Sequence, residues 1–263
     1  MEDKVIILAS TVDRKILEND HLIGLHLSPD LSMVIVNQMI NDKTPLQLEK
    51  EFCKIVNDNG KGLSRSRNIA LDQVNSGYCI VADDDVEYVK EFDTIIKESF
   101  NKNQEDEILT FMIKTPDGKF FKEYANKQFV HSKRTLLKVS SIDMVLNLNR
   151  IQKSLRFDEN FGLGAQFNTG ENNIFLFDAH KQGCKISFIP ETIVIHPYEN
   201  SGRVLDKKHF VSKGAVFKRM FGFKGFLVSM VFCLKKRKEA KLQKIGLFNT
   251  MIYSLRGYLK YKK

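Results

Sequence analysis

Three consecutive carboxylates, Asp83, Asp84 and Asp85, close the short apolar run Tyr78-Cys79-Ile80-Val81-Ala82. Like charges crowded at the end of a β-prone segment repel one another unless a cation or hydrogen-bond donors compensate them. Two arrangements suit such a triplet: a site for a divalent metal and phosphate, or a solvated acidic loop. Hard divalent ions take oxygen ligands and keep waters and substrate phosphate in their shell. One or two aspartates therefore suffice when a nucleotide diphosphate supplies the rest.

The elements that must position the triplet alternate between strand and helix patterns. Lys4 to Ser10, Leu31 to Asn37 and the short Phe52 to Val56 have strand character, with a weaker helix from Asp13 to about Leu25 between the first two. The turn-rich Asn57-Asp58-Asn59-Gly60-Lys61-Gly62-Leu63 leads to Ser64, which is placed to cap a helix running through Leu71 and Val74 and ending near Gly77. The strand at Tyr78 follows, then a helix from about Lys90 to Phe100 with Phe92, Ile95, Ile96 and Phe100 on one face, and a strand from Ile108 to Ile113. Further on come a helix from Asn172 to about Lys181 and strand-like segments on either side of Glu191. Repeated strand, helix, strand units predict an α/β fold with a mostly parallel sheet flanked by helices. Ligands of such sheets bind beyond the carboxyl ends of the strands, where the aspartate triplet falls.

The order of the motifs resembles the inverting glycosyltransferases of family 2. The resemblance rests on Gly60-Lys61-Gly62-Leu63-Ser64-Arg65-Ser66-Arg67-Asn68, on Asp83-Asp84-Asp85, on Phe157-Asp158-Glu159-Asn160-Phe161-Gly162-Leu163-Gly164-Ala165, and on Gly170-Glu171-Asn172-Asn173. It covers Val5 to about Ser201 and implies the nucleotide-sugar-binding fold called GT-A, which is Rossmann-like. By that resemblance Asp83 and Asp84 face the nucleotide, Asp85 binds Mn²⁺ or Mg²⁺, Arg67 lies near the nucleotide, and His196 is a further metal ligand. A salt bridge from Arg67 to the triplet is the alternative role for that residue. Asp158 and Glu159 are expected to order the glycine loop.

The chain departs from the family pattern in two places. The first two strands end in Ala9-Ser10-Thr11-Val12-Asp13 and Val36-Asn37-Gln38, without the usual aspartates that read the base. Thr11 and Asn37 can still hydrogen-bond a base or ribose, so a UDP-sugar donor is an expectation of the family alone. Asp13 is expected to cap the first helix rather than touch substrate. In many relatives an acidic pair follows the glycine, but here Asn172 takes the second place. An amide cannot accept a proton, so Glu171 becomes the expected catalytic base; Asp178, two helical turns on, lies too deep along the helix. His21, His26, His131, His180 and His209 carry no comparable context.

Charge divides the chain unevenly. From Gly202 to Lys263 there are 17 Lys or Arg against Asp206 and Glu239, a balance of +15, whereas the preceding residues hold 24 basic against 30 acidic residues, a balance of −6 within the total of +9. The predicted organisation is a catalytic domain over 1–201 and a basic, apolar tail over 202–263. Between the tail's charges lie Phe217, Met220, Phe221, Phe223 and the run Gly225 to Leu234. That run is too short to span a bilayer but suits a segment lying in the membrane plane with cations at both ends. The alternative is an amphipathic helix pair packed on the body or on a second subunit, leaving an oligomer open. The aromatics cluster as a packing face rather than interleave as a stacking platform, which argues against nucleic acid.

Cys53, Cys79, Cys184 and Cys233 are widely spaced, fitting neither a zinc site nor a disulfide framework, and Val5 to Ala9 is too short for a signal-peptide core. A cytoplasmic enzyme, peripheral on the inner face of the cell membrane, is expected. It would move a sugar from a nucleotide-sugar donor to a glycan, expected to be lipid-linked, in cell-surface polysaccharide synthesis. A nucleotidyltransferase with a similar sheet is the enzyme alternative, though Asp13-Arg14-Lys15 lacks the glycines of a pyrophosphate loop. A catalytically inactive membrane-bound scaffold is the alternative from another class.

Overall fold

A computed structural model describes residues 4–197 and 205–262. The chain forms two compact units: the first from residues 4–61, 65–156 and 175–197, the second from 62–64, 157–174 and 205–262. This division does not follow the expected boundary near Ser201, which lies outside the described residues. The segment 157–174 joins the tail helices instead of the sheet.

The first unit is built on one nine-stranded sheet: β1 (Val5–Val12), β2 (Leu31–Gln38), β3 (Cys53–Asp58), β4 (Tyr78–Ala82), β5 (Glu87–Tyr88), β6 (Ile108–Lys114), β7 (Phe129–Val130), β8 (Met144–Asn147) and β9 (Ile186–Ile195). The order is β3-β2-β1-β4-β8-β6-β9-β5, with β7 also on β9. The strands β3, β2, β1 and β4 run parallel, β8 is antiparallel to both β4 and β6, and β6 and β9 are parallel. Every residue of β4 and all but the last of β1 are buried, which is why these segments are apolar on both faces instead of alternating. The strand order reverses between β1 and β4, so their carboxyl ends flank the crevice where open α/β sheets take ligands.

Short helices cover the sheet. The expected helix after Asp13 is not continuous: Asp13 and Arg14 take left-handed backbone angles, a 3-10 turn covers Lys15–Glu18, and α1 is only Asp20–Gly24. Asp13 is not its cap. The Asp13 carboxylate accepts from the backbone N–H groups of Ile40 (2.7 Å), Asn41 (3.1 Å) and Asp42 (3.2 Å), while Asn19 caps α1 through Leu22 N–H. The helix α2 (Leu63–Asp72) includes Ser64 in its first turn, and α3 (Phe92–Lys102) buries Phe92, Ile96 and Phe100, with Phe100 stacked on Tyr78 at 4.4 Å. The two strand-like segments about Glu191 are a single strand. Thr110 pairs with Phe188 and Met112 with Thr192, so the register skips 189–191 and Pro190 costs no ladder bond.

In the second unit, α5 (Lys207–Phe221), α6 (Gly225–Lys235), α7 (Arg237–Leu242) and α8 (Leu247–Lys260) follow one another. Asp206 caps α5 by accepting from His209 N–H at 2.7 Å. The helices α5 and α8 meet through glycine: a Cβ on Gly214 would lie 1.8 Å from the Ser254 carbonyl oxygen, and one on Gly257 1.7 Å from that of Val211. No helix among the described residues is long and apolar enough to cross a membrane.

Candidate active site

At the carboxyl end of β4 the three aspartates have different surroundings. The Arg67 guanidinium, 1% exposed, donates to Asp83 at 2.9 Å, and Asp83 remains 37% exposed. Thr11 at the end of β1 donates to Asp84 at 2.9 Å while accepting from Ile16 N–H, and Lys15 stands 3.6 Å from the other Asp84 oxygen. Asp84 is 16% exposed and Asp85 47%. The strand ends at Ala82 and the chain turns at Asp84 and Asp85, which leaves the carboxylates of residues 83 and 85 the more exposed and directs that of residue 84 to Thr11. Burial raises the Asp84 pKa above the usual carboxylate range, against the Thr11 hydrogen bond and the Lys15 charge.

Three residues expected on the nucleotide side are engaged within the protein. Asp84 and Thr11 are occupied with each other, and Thr11 is 1% exposed. Asn37 is completely buried; its Oδ1 accepts from Arg14 N–H and its Nδ2 donates to Asn57 Oδ1, each at 2.9 Å. All three hold the loops around the crevice, leaving Asp83 and Asp85 as the outward carboxylates. Asn19 was missed. Its Nδ2 donates to the carbonyls of Asp84 (3.2 Å) and Val86 (2.9 Å), clamping the triplet's backbone. A lone asparagine in a polar stretch carries no signal of such a role.

Asp85 meets His196, which follows β9 directly. His196 Nε2 lies 3.1 Å from Asp85 Oδ1 and Nδ1 lies 2.7 Å from the Pro197 carbonyl oxygen. Carbonyl and carboxylate only accept, so both contacts favour a protonated ring. Burial opposes that charge, but the hydrogen bond and charge of Asp85 outweigh it and raise the His196 pKa. The His196 hydrogen bond in turn lowers that of Asp85 against burial.

In the second unit, Glu171 opens α4 (Glu171–Lys181) and is 7% exposed. The glycine loop lies against it: a Cβ on Gly162, where φ is +103°, would stand 3.4 Å from Glu171 Cγ and 3.1 Å from Ser64 Oγ. Ser64 is not a helix cap; its hydroxyl donates to the Phe161 carbonyl at 2.6 Å, and Leu63 N–H donates to that of Leu163 at 2.9 Å.

The tail grips the same loop. Arg219 of α5 donates to Asp158 at 2.7 Å, Ser212 Oγ accepts from Asn168 N–H at 3.0 Å, and Val216 packs so close to Gly170 that a Cβ there would lie 2.2 Å from it. The Tyr261 ring sits 5.5 Å from Phe161 and 6.2 Å from Phe167. Burial holds the Lys213 ammonium below its usual range, while the Glu171 charge pulls it back up. The sequence motifs contained none of these tail residues, because helical spacing alone identifies a packing face but not what it packs on.

A family model described as glycosyl transferase family 2 matches residues 20–180, more than half of the chain. The chain belongs to this family. No curated protein matches the chain. Among solved structures the chain is similar to S. aureus TarS 1-349 in complex with UDP-GlcNAc, at 15% identity and a TM-score of 0.69, over 98% of this chain and 81% of that one. The TarS 1-349 complex with UDP gives 15% identity and 0.61, over 89% and 72%. Another S. aureus TarS structure gives 16% identity and 0.60 over 89% of this chain but 43% of its own length. At such identities the likeness concerns the fold, which is the GT-A fold of the family.

A divalent metal can be tested against this family 2 site on its own atoms. Asp85 and His196 offer oxygen and nitrogen donors, and the Nδ1 bond to Pro197 is the kind of contact that orients a ligating imidazole. A metal on Nε2 would displace the proton that now faces Asp85. The donor set fits, although among the described residues no group of three or more His, Cys, Asp or Glu is arranged to hold a metal. The other positions would fall to water and diphosphate oxygens.

Proposed function

We propose that this glycosyltransferase inverts the donor carbon as it moves a sugar from a uridine nucleotide-sugar to a hydroxyl of a lipid-linked glycan, at the inner face of the cell membrane, in cell-surface polysaccharide synthesis. The observation that carries the reading is the pair of outward carboxylates beyond β4, one held by Arg67 and the other by His196. The UDP-GlcNAc and UDP in the TarS complexes support a uridine donor. Arg67 and Asp83 orient the nucleotide, with Asp84, Thr11, Asn37 and Asn19 keeping the crevice in shape. When bound, Mn²⁺ or Mg²⁺ on Asp85 and His196 offsets the charge that builds on the leaving diphosphate.

Glu171 accepts the proton of the acceptor hydroxyl. The acceptor oxygen forms its bond to the anomeric carbon from one face as the bond to the diphosphate breaks on the other, and the electron pair leaves with the diphosphate. The base sits beside Gly162, whose positive φ and missing Cβ let the loop pack directly against Glu171 and Ser64. The basic tail supports an anionic membrane as the place of reaction.

A thermal-shift panel of nucleoside diphosphates with and without Mn²⁺, joined to a transfer assay, tests this reading. UDP should stabilise the protein only with metal, by about 3 kcal/mol at a hundredfold excess over its Kd. Asp85→Ala should lose that response, and Glu171→Gln should keep it while losing transfer. Stabilisation by no diphosphate, or wild-type transfer by Glu171→Gln, would refute the assignment.

A further inference from the structure

The helix α6 is built the wrong way round for a helix of a water-soluble bundle. It packs on α5 and α8 with its small residues, Gly225, Ser229 and Cys233, spaced four apart and all buried. A Cβ on Gly225 would lie 2.1 Å from the Phe217 carbonyl oxygen, and the Ser229 and Ser254 hydroxyls share a hydrogen bond. Phe232 joins that packing against Phe217 at 5.5 Å, and Phe226 lies 6.0 Å from Tyr258, but Leu227, Val231 and Leu234 face away. Leu227 is 65% exposed, Val231 50%, Leu234 43%, and Phe223, just before the helix, 88%. An amphipathic helix in water does the opposite, burying its bulk and exposing its polar side.

Charge identifies the occupant of that face. No acidic residue lies between Asp206 and Glu239, and cations stand at both ends of α6: Lys224 before it, and Lys235, Lys236, Arg237 and Lys238 after it. Lys235, Arg237 and Lys238 line, with Val231 and Leu234, a hollow of about 360 Å³. Apolar side chains flanked by cations match a bilayer whose acyl region lies beneath anionic headgroups. A second copy seated on this face would bring two basic fringes together, which disfavours it. The helix has 11 residues, roughly 16 Å at 1.5 Å per residue, so it cannot cross a hydrocarbon core of about 30 Å and must lie along it.

We infer that α6 docks on an anionic phospholipid bilayer, with Phe223, Leu227, Val231 and Leu234 among the acyl chains and Lys224, Lys235, Arg237 and Lys238 at the headgroups. This rests on the membrane reading above and deepens it by naming the helix face and the residues that meet the lipid. The test is flotation of the full chain, without donor or acceptor, on vesicles of phosphatidylcholine alone and of phosphatidylcholine with phosphatidylglycerol. Binding should require the anionic lipid and weaken with salt. Removing Lys235, Arg237 and Lys238 together should weaken it on the order of a hundredfold, about fivefold per cation. Leu227→Glu with Val231→Glu should abolish it while the UDP response persists.

Equal flotation on both vesicles, or none on either, would overturn the inference on the wild-type chain alone, whatever the variants do. So would a dimer in solution that the glutamates dissociate. Because the readout is binding only, it can fail while the transferase reading stands.

Discussion

Substituting Gly214 by alanine tests whether the tail is part of the catalytic apparatus. A Cβ there would stand 1.8 Å from the Ser254 carbonyl oxygen, 2.7 Å from its carbon and 3.0 Å from Tyr258 nitrogen, all backbone atoms of α8 that no rotamer change can move. Ordinary contact needs about 3.5 Å, so α5 and α8 must part by roughly 1.5 Å, and a gap of that size forfeits half or more of the dispersion along the seam. Overpacking of this kind costs about 1–3 kcal/mol, with lost contact added, while alanine regains about 1 kcal/mol of helix propensity. The net loss is about 2 kcal/mol, on the order of 5 °C in melting midpoint. Gly24→Ala, with nothing within 4 Å of the new Cβ, should be neutral or slightly stabilising. Parting α5 from α8 also disturbs Ser212 and Val216, which hold residues 168–170 ahead of Glu171. Transfer should therefore fall severalfold while the UDP-induced thermal shift, which depends on residues of the other unit, keeps its size. A Gly214→Ala protein that melts at or above wild type and transfers normally would refute the reasoning.

Arg67→Lys should weaken donor affinity about tenfold in a UDP titration, because an ammonium cannot reproduce the guanidinium fork, at a stability cost of about 1 kcal/mol given the part-exposed Asp83. Gly170→Ala should lower transfer and stability by about 2 kcal/mol, since φ is +99° and the Cβ meets Val216. Adding Val216→Ala should recover only part of this, relieving the contact but not the backbone strain; full recovery would count against the strain. His131 is buried between the Thr110 and Thr135 hydroxyls, and burial pushes its pKa down to about 4, with Lys122 acting in the same direction. Its folded pKa lies below the unfolded value of about 6.5, so the stability it contributes is complete above about 6.5 and drains away as pH falls toward 4, by about 3 kcal/mol. His131→Gln should flatten that part of the urea-midpoint profile against pH; an unchanged profile would remove His131 as the cause.

The sheet was legible because its strands declare themselves: Val5–Ala9 and Tyr78–Ala82 are buried on both faces and carry runs of apolar residues. The pairing of Asp85 with His196 was also in view, through motif order, although the two are 111 residues apart. What sequence could not show was direction. Nothing in three identical aspartates says that the middle one turns inward to Thr11, and nothing in Asn37 says that Arg14 and Asn57 take up its amide. The helix expected after Asp13 failed for a local reason, since two residues in left-handed conformation cannot propagate a right-handed helix. The tail misled differently. Its periodicity and charge were plain, but the spacing that makes a packing face is the same whether the partner is a lipid, another subunit or the glycine loop.

The second unit joins two proposed roles that the sequence had kept apart. Its helix α5 fixes the loop that carries Glu171 through Arg219, Ser212 and Val216, and its helix α6 turns Leu227 and Val231 outward between cations. In the proposed reading, the helix that would meet the lipid surface and the helix that holds the loop of the proposed base are neighbours in one bundle, an arrangement that suits an acceptor floating in a membrane. Confining enzyme and acceptor to one surface raises their effective concentration without any new contact to the sugar. It follows that cutting the chain after residue 201 cannot test docking by itself. The cut would remove α5 with α6, and lost transfer would report the unsupported Glu171 loop as much as the lost membrane. Outward substitutions on α6 leave the grip of α5 intact. They should slow transfer to an acceptor anchored in vesicles while leaving transfer to a water-soluble acceptor at the wild-type rate. An equal loss on both acceptors would mean that α6 serves the fold of the site and not its location.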